Sequence, residues 1–266
     1  MMNKVYAPLI DSHIHLDQYD DPKIEQMIRS LADLNIQSLI SVSMNLSSCQ
    51  RTEQLAQRYP SIVQPAYGYH PEQPLPDAQE LQTLLLWIEQ RIDRLIAIGE
   101  IGLPYYRRLE AIERGELLDE QGYQDVLSAL LQLAARYDKP VILHAVYEDA
   151  AIACDLLEQY GVTKAHFHWF KGYPETIQRM IHNGYSISFT PDIQYEQEIQ
   201  QLAAVYPAHL VMVETDGPWP FEGSFAEQMT HPMMTADVCR EWAKIQGLTE
   251  KEARQILYQN TLSFYT

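Results

Sequence analysis

Positive charge is scarce in this chain: 19 Lys and Arg stand against 36 Asp and Glu, a formal net charge of −17. Such an excess opposes phosphate-driven adhesion to long nucleic acid, so any nucleic-acid chemistry must be local to a pocket. Divalent cations reverse the field inside a pocket even on an acidic protein, so the balance does not exclude a nuclease. Cysteine is also rare. Cys49, Cys154 and Cys239 are widely spaced and form no Cys-x-x-Cys pair, which argues against a disulfide framework or a zinc ribbon and fits a reducing cytoplasm. Long apolar runs are missing too: Leu84 to Ile88 and Val211 to Val213 fall far short of the roughly 18 residues a membrane span needs, and no membrane partner is expected. The opening MMNKVYAPLI lacks the basic region, long apolar segment and small-residue cleavage site of an export signal. No repeat, linker or low-complexity tract interrupts the chain.

What is present is apolar bulk and a regular alternation. Over 266 residues, 46% hydrophobic side chains supply a large core, and a single domain spanning 1–266 is the expectation. Short β-branched runs predict strands over 7–15, 38–43, 62–69, 95–101, 140–144, 165–169, 185–189 and 210–214. Between them, helical spacing predicts helices over 22–34, 47–59, 77–93, 119–137, 149–160, 174–183 and 195–206, with 225–246 and 249–258 closing the chain. Strict strand-then-helix alternation with eight strands marks an α/β fold, a single and possibly distorted (β/α)8 TIM-like barrel, with an open doubly wound sheet as its competitor. The stretch from Pro104 to Asp119 reads as a long charged loop.

Ligand-type side chains recur at one end of these strands. In LIDSHIHLDQ, residues 9–18, alternate positions of a strand share a face, so His13 and His15 point the same way while Ile14 points to the opposite layer. AIGEIG places Glu100 at the end of the fourth strand, PVILHA places His144 at the end of the fifth, and AHFHWF places His168 at the end of the sixth. MVETDGP puts Asp216 just after the eighth, and GYHPE adds His70 after the third. One such residue alone is more often a cap, or a residue that supports a ligand, than a ligand itself. Core packing gives no reason for all of them to gather at the C-terminal strand ends, where a barrel assembles its site. Imidazoles and carboxylates without thiolate suit Zn2+, Mn2+, Mg2+ or iron, and six ligands exceed the need of one four-coordinate ion. Two divalent metal ions are therefore expected: His13, His15 and Asp216 on one, His144 and His168 on the other, Glu100 between them. Such a pair activates water and stabilises both attacking and leaving oxygens, with Asp216 placed to act as general base.

The ordered runs DSHIHLD, GYHPE, IGEIGLPYY, KPVILHA, HFHWFKGYPE and VETDGPWP, followed by GLTEKEARQILYQNTLSFY, resemble the TatD family of metal-dependent hydrolases within the amidohydrolase superfamily. The similarity covers nearly the whole chain. It implies a distorted TIM barrel, divalent-metal-dependent phosphodiester hydrolysis, and the 3'-to-5' exonuclease behaviour of the family's deoxyribonucleases. By the same resemblance His13 and His15 match the family's His-x-His pair, Glu100 its bridging glutamate, His144 and His168 its later histidine ligands, and Asp216 its strand-eight aspartate. His70 matches a histidine on the substrate side of the pocket.

Departures from the family pattern fall on the substrate side. Pro104 stands where relatives usually carry an aspartate, Ala145 and Val146 replace a common serine and arginine, and the usual His-Cys-Phe-Ser-Gly becomes His168-Trp169-Phe170-Lys171-Gly172. A lost arginine removes a bidentate phosphate donor. Lys171, Arg107 or Arg108 is the expected replacement, and Trp169 or Trp219 could stack on a base; surface charge and core packing are the plainer alternatives. The leading expectation is a phosphodiesterase acting on DNA, at the 3' end of a single strand. A two-metal hydrolase of a small ester, lactone, amide or aminoacyl-tRNA ester is the alternative, since water activation serves all of these. A metal-stabilised binding component with little turnover is a third, from another class.

Overall fold

A computed structural model describes residues 6–266. In chain order its main elements are β1 (Leu9–Ile14), α1 (Asp21–Ser30), β2 (Ile36–Ser41), α2 (Leu46–Arg58), β3 (Val63–Tyr67), α3 (Ala78–Glu89), β4 (Ala97–Gly102), α4 (Tyr105–Arg114), α5 (Glu120–Arg136), β5 (Val141–His144), α6 (Tyr147–Tyr160), β6 (Ala165–Phe167), α7 (Pro174–Asn183), β7 (Ser186–Phe189), α8 (Gln197–Val205), β8 (Val211–Val213), α9 (Thr235–Gln246) and α10 (Glu250–Tyr265). The strands follow one another in the sheet in chain order, β1 to β8, in parallel pairs. β8 returns to β1, where the Asp216 amide donates to the His13 carbonyl and the His15 amide to the Gly217 carbonyl. This is the (β/α)8 barrel, nearly closed, that the alternation predicts.

Contacts divide the chain into two compact units: the described residues up to Ser41 with Leu55–Gln64 and Ile187–Thr266, and Val42–Gln54 with Pro65–Ser186. In the first, Ile14, Leu16, Ile24, Met27, Leu31, Ile36, Leu39, Leu55 and Val63 form one buried cluster. In the second, α5 packs on β4, with Leu127, Leu130, Leu131 and Ala134 of the helix and Ile98 and Ile101 of the strand all buried. Each buried aliphatic side chain of this kind contributes roughly 1.5–3 kcal/mol. β1, β4 and β7 are buried at every position, as strands covered on both faces must be. Local signals set the helix ends. Asp77 with Glu80, and Thr249 with Glu252, make reciprocal capping boxes on α3 and α10, which satisfy amides that the first turn leaves without helical partners.

Two expectations are corrected. The charged stretch after Pro104 is not a loop: it forms α4 over Tyr105–Arg114 before a short connection, because its amides find an acceptor that the local sequence does not reveal. The helix expected over 225–246 begins only at Thr235. Pro232 forces the preceding His231 into an extended conformation (φ −143°, ψ 142°), which breaks any helix running through it. All three cysteines are buried, and burial pushes the thiols of Cys154 and Cys239 up to about 12. Among the described residues no helix is long and apolar enough to cross a membrane.

Candidate metal centre

In the first unit, His13 is the last but one residue of β1, fully buried, and His15 follows the strand. Their rings meet edge to face at 5.3 Å. Asp216 Oδ1 stands 3.2 Å from His13 Nε2 and 3.5 Å from His15 Nε2. The loop after β8 is stitched to the end of β1, which fixes this approach: the Asp216 amide donates to the His13 carbonyl at 3.0 Å and the His15 amide to the Gly217 carbonyl at 2.8 Å. Asp216 adopts a left-handed backbone, φ +48°, and is held there by these bonds. Beneath them Asp11 accepts from the Thr215 hydroxyl and amide. Burial pushes the Asp11 carboxyl up to about 8, against the hydrogen bonds from Thr215 that hold it down.

In the second unit, Glu100 is fully buried on β4. Its Oε1 lies 3.1 Å from His144 Nδ1 and 2.8 Å from His168 Nε2, and those two nitrogens are 3.3 Å apart. His70 Nε2 lies 3.1 Å from the same oxygen. Glycine lets these strand ends come so close: a Cβ on Gly102 would stand 1.9 Å from the His144 carbonyl oxygen, and one on Gly68 would stand 2.4 Å from that of Glu100. Burial alone would push the His144 imidazole down, but the carboxylates of Glu100 and Glu72 hold it above the ordinary histidine value. Burial raises Glu72, but the hydrogen bond and charge of His144 together with the amides of Tyr106 and Arg107 outweigh it, leaving the carboxyl below its usual range.

Both sets fit a cation. His13, His15 and Asp216 form one group of converging ligand atoms, and Glu100, His144 and His168 form another. The 3.3 Å between His144 Nδ1 and His168 Nε2 matches two ligands that are each about 2.0–2.1 Å from a tetrahedral ion, while the Glu100 contacts at 3.1 and 2.8 Å are shorter. Three lone-pair atoms facing one another while buried repel unless a proton or a cation lies among them.

The structure thus brings His13 and His15 to Asp216, and Glu100 to His70, His144 and His168. The expected substrate residues are placed less tightly. Lys171 Nζ lies 5.8 Å over the Trp169 ring just after β6, and Trp219 is 57% exposed beyond β8. The Arg107 amide donates to Glu72 and its guanidinium lies beside Tyr123. Arg108 Nη1 is 2.6 Å from the buried Asp149 carboxylate. Sequence reasoning missed Glu72, although it stands in GYHPE. It also missed Glu214, a buried carboxylate whose oxygen lies within 4.8 Å of a His13 ring nitrogen; its position one residue beyond β8 was the available signal.

A (β/α)8 barrel with imidazoles and carboxylates on its strand ends defines a class, the metal-dependent hydrolases. The model of the TatD related DNase family matches residues 10–266, and the chain belongs to that family. A Haemophilus influenzae protein named as an uncharacterized metal-dependent hydrolase is 35% identical, with 97% of this chain and 99% of that protein covered. Deoxyribonuclease TATDN3 of Homo sapiens is 29% identical over 97% of this chain and 94% of its own length. Among solved structures, that of YjjV, a TatD homologue from Escherichia coli K12, superposes with a TM-score of 0.83 at 26% identity, covering 96% of this chain and 97% of the other.

Proposed function

We propose that this hydrolase cleaves phosphodiesters, releasing nucleotides from the 3' end of single-stranded DNA, with one divalent ion held by His13, His15 and Asp216 and a second by Glu100, His144 and His168. The observation that carries the reading is the pair of buried thiolate-free ligand sets, each complete within one compact unit. Divalent ions there supply Lewis acidity, lowering the pKa of water and offsetting charge on the phosphate. Asp216, whose Oδ1 faces both imidazoles, takes a proton from the attacking water as general base. Glu100 brings a second buried negative charge that keeps its set selective for cations. Lys171 beside Trp169 supplies a cation next to a flat ring, and the exposed Trp219 supplies a stacking face. The polarity of digestion rests on the family resemblance, and cytoplasmic residence on the sparing use of cysteine.

The test is a single-stranded oligonucleotide labelled at its 5' end, incubated with metal-reconstituted protein beside bis(p-nitrophenyl) phosphate and an ester and lactone panel. Stepwise 3' shortening that a chelator and Asp216→Asn both abolish is the expected result. An intact oligonucleotide alongside metal-dependent cleavage of a small ester would overturn the nuclease reading and favour the second one. One observation already points that way: Arg108, a candidate phosphate donor, is engaged by buried Asp149.

A further inference from the structure

Glu72 lies two residues beyond His70 and joins three parts of the second unit. Its amide donates to His70 Nδ1 at 3.1 Å. Oε1 accepts from the Tyr106 amide at 2.9 Å and Oε2 from the Arg107 amide at 2.7 Å, so the carboxylate caps the first turn of α4. The same Oε1 lies 3.3 Å from His144 Nε2. α4 is itself anchored by Arg108 on Asp149, so the carboxylate rests on a fixed helix end and has little freedom to turn away from the imidazole.

The two nitrogens of His144 therefore face different tasks. Nδ1 faces Glu100 and His168, and Nε2 faces Glu72. A carboxylate can only accept a hydrogen bond, so Glu72 at Nε2 and Glu100 at Nδ1 compete for the imidazole proton. With a cation among the Glu100, His144 and His168 atoms Nδ1 must offer its lone pair, and Glu72 is the acceptor that keeps the proton on Nε2. We propose that Glu72 is the positioning residue of the Glu100–His144–His168 set, fixing the ring orientation and tautomer of His144. The proposal rests on the reading that this set holds a divalent ion. A carboxylate on the far nitrogen of a ligating imidazole raises ligand basicity, and its loss costs about 10–100-fold in metal affinity.

Capping α4 is the competing role, and Glu72→Gln separates the two. Glutamine keeps an oxygen for the helix amides but can present an N–H to His144 Nε2, which drives the imidazole proton onto Nδ1 and blocks the lone pair. Two readouts on the full chain decide. The first is Zn2+ competition against a chromophoric chelator: Glu72→Gln is expected to weaken one class of site about 10–100-fold and leave the other within about twofold. The second is the long-range proton–nitrogen spectrum of the metal-free protein at alkaline pH, where Glu72 and Glu100 compete for the His144 proton and Glu72→Gln is expected to shift it from Nε2 toward Nδ1. Zn2+ affinities unchanged by the substitution, or a His144 tautomer ratio unchanged by it, would overturn the proposal, whatever happens to the melting temperature. Should the wild type bind no Zn2+, the metal reading fails, while the tautomer spectrum still decides the role of Glu72.

Discussion

Thr215 holds Asp11 by two bonds: its hydroxyl donates to Oδ2 at 2.6 Å and its amide to Oδ1 at 3.0 Å, across 204 positions of sequence. The pair ties the segment after β8 to β1, one residue before Asp216 and two before His13. The geometry of the first ligand set is thus inherited from a bond between residues that are not ligands.

Thr215→Val keeps the shape and removes the hydroxyl, leaving a buried carboxylate oxygen short of its donor. Unfolding in urea is expected to show a loss of about 1–3 kcal/mol, with weaker Zn2+ binding at the set formed by His13, His15 and Asp216. Stability equal to wild type would show that the bond contributes nothing net.

Asp216→Asn retains the size of the side chain but not its basicity. Turnover of bis(p-nitrophenyl) phosphate is expected to fall about 10²–10⁴-fold, the range that a positioned general base contributes. A loss of less than tenfold would remove Asp216 from that role.

Two glycine substitutions separate site geometry from backbone cost. Gly161→Ala meets no atom within 4 Å and bears only its left-handed φ of +70°, about 1–2 kcal/mol. Gly102→Ala drives a methyl group to 1.9 Å from the His144 carbonyl oxygen, so the β5 end must move, at about 1–3 kcal/mol for overpacking. Only Gly102→Ala is expected to reduce turnover per folded molecule, measured by activity against circular dichroism.

Acid stability carries a signature of Glu158. Hydrogen bonds from Arg179 and Asn183 hold its carboxyl down to about 2. A lowered folded-state pKa means the contribution is complete above the ordinary value of 4.5 and is lost as pH falls from there toward 2. A carboxylate titration followed by NMR is expected to place Glu158 near that value and Arg179→Gln to raise it; an ordinary midpoint in the wild type would contradict the geometry.

Much of this molecule is legible in its sequence, for a physical reason. Most strand positions are buried and short aliphatic or β-branched runs mark the strands, with the ligands at or near their ends, so His13, Glu100, His144 and His168 announce themselves by position. What the sequence hides depends on distant partners. α4 reads as a charged loop because the acceptor for its first-turn amides, Glu72, lies more than thirty residues upstream. Glu72 itself looks like a surface carboxylate until α4 and His144 close around it. Residues 225–234 carry enough apolar side chains to read as helix, but Pro232 and its extended neighbour His231 decide otherwise.

The buried cysteines have a practical consequence. Cys49, Cys154 and Cys239 are all enclosed, and the raised thiols of Cys154 and Cys239 hold almost no thiolate at neutral pH. An alkylating dye should therefore ignore the folded native chain. A single cysteine introduced at an exposed position such as Leu117 would be the sole reactive handle, so a fluorophore or spin label could be attached without first stripping the protein of its own sulfur.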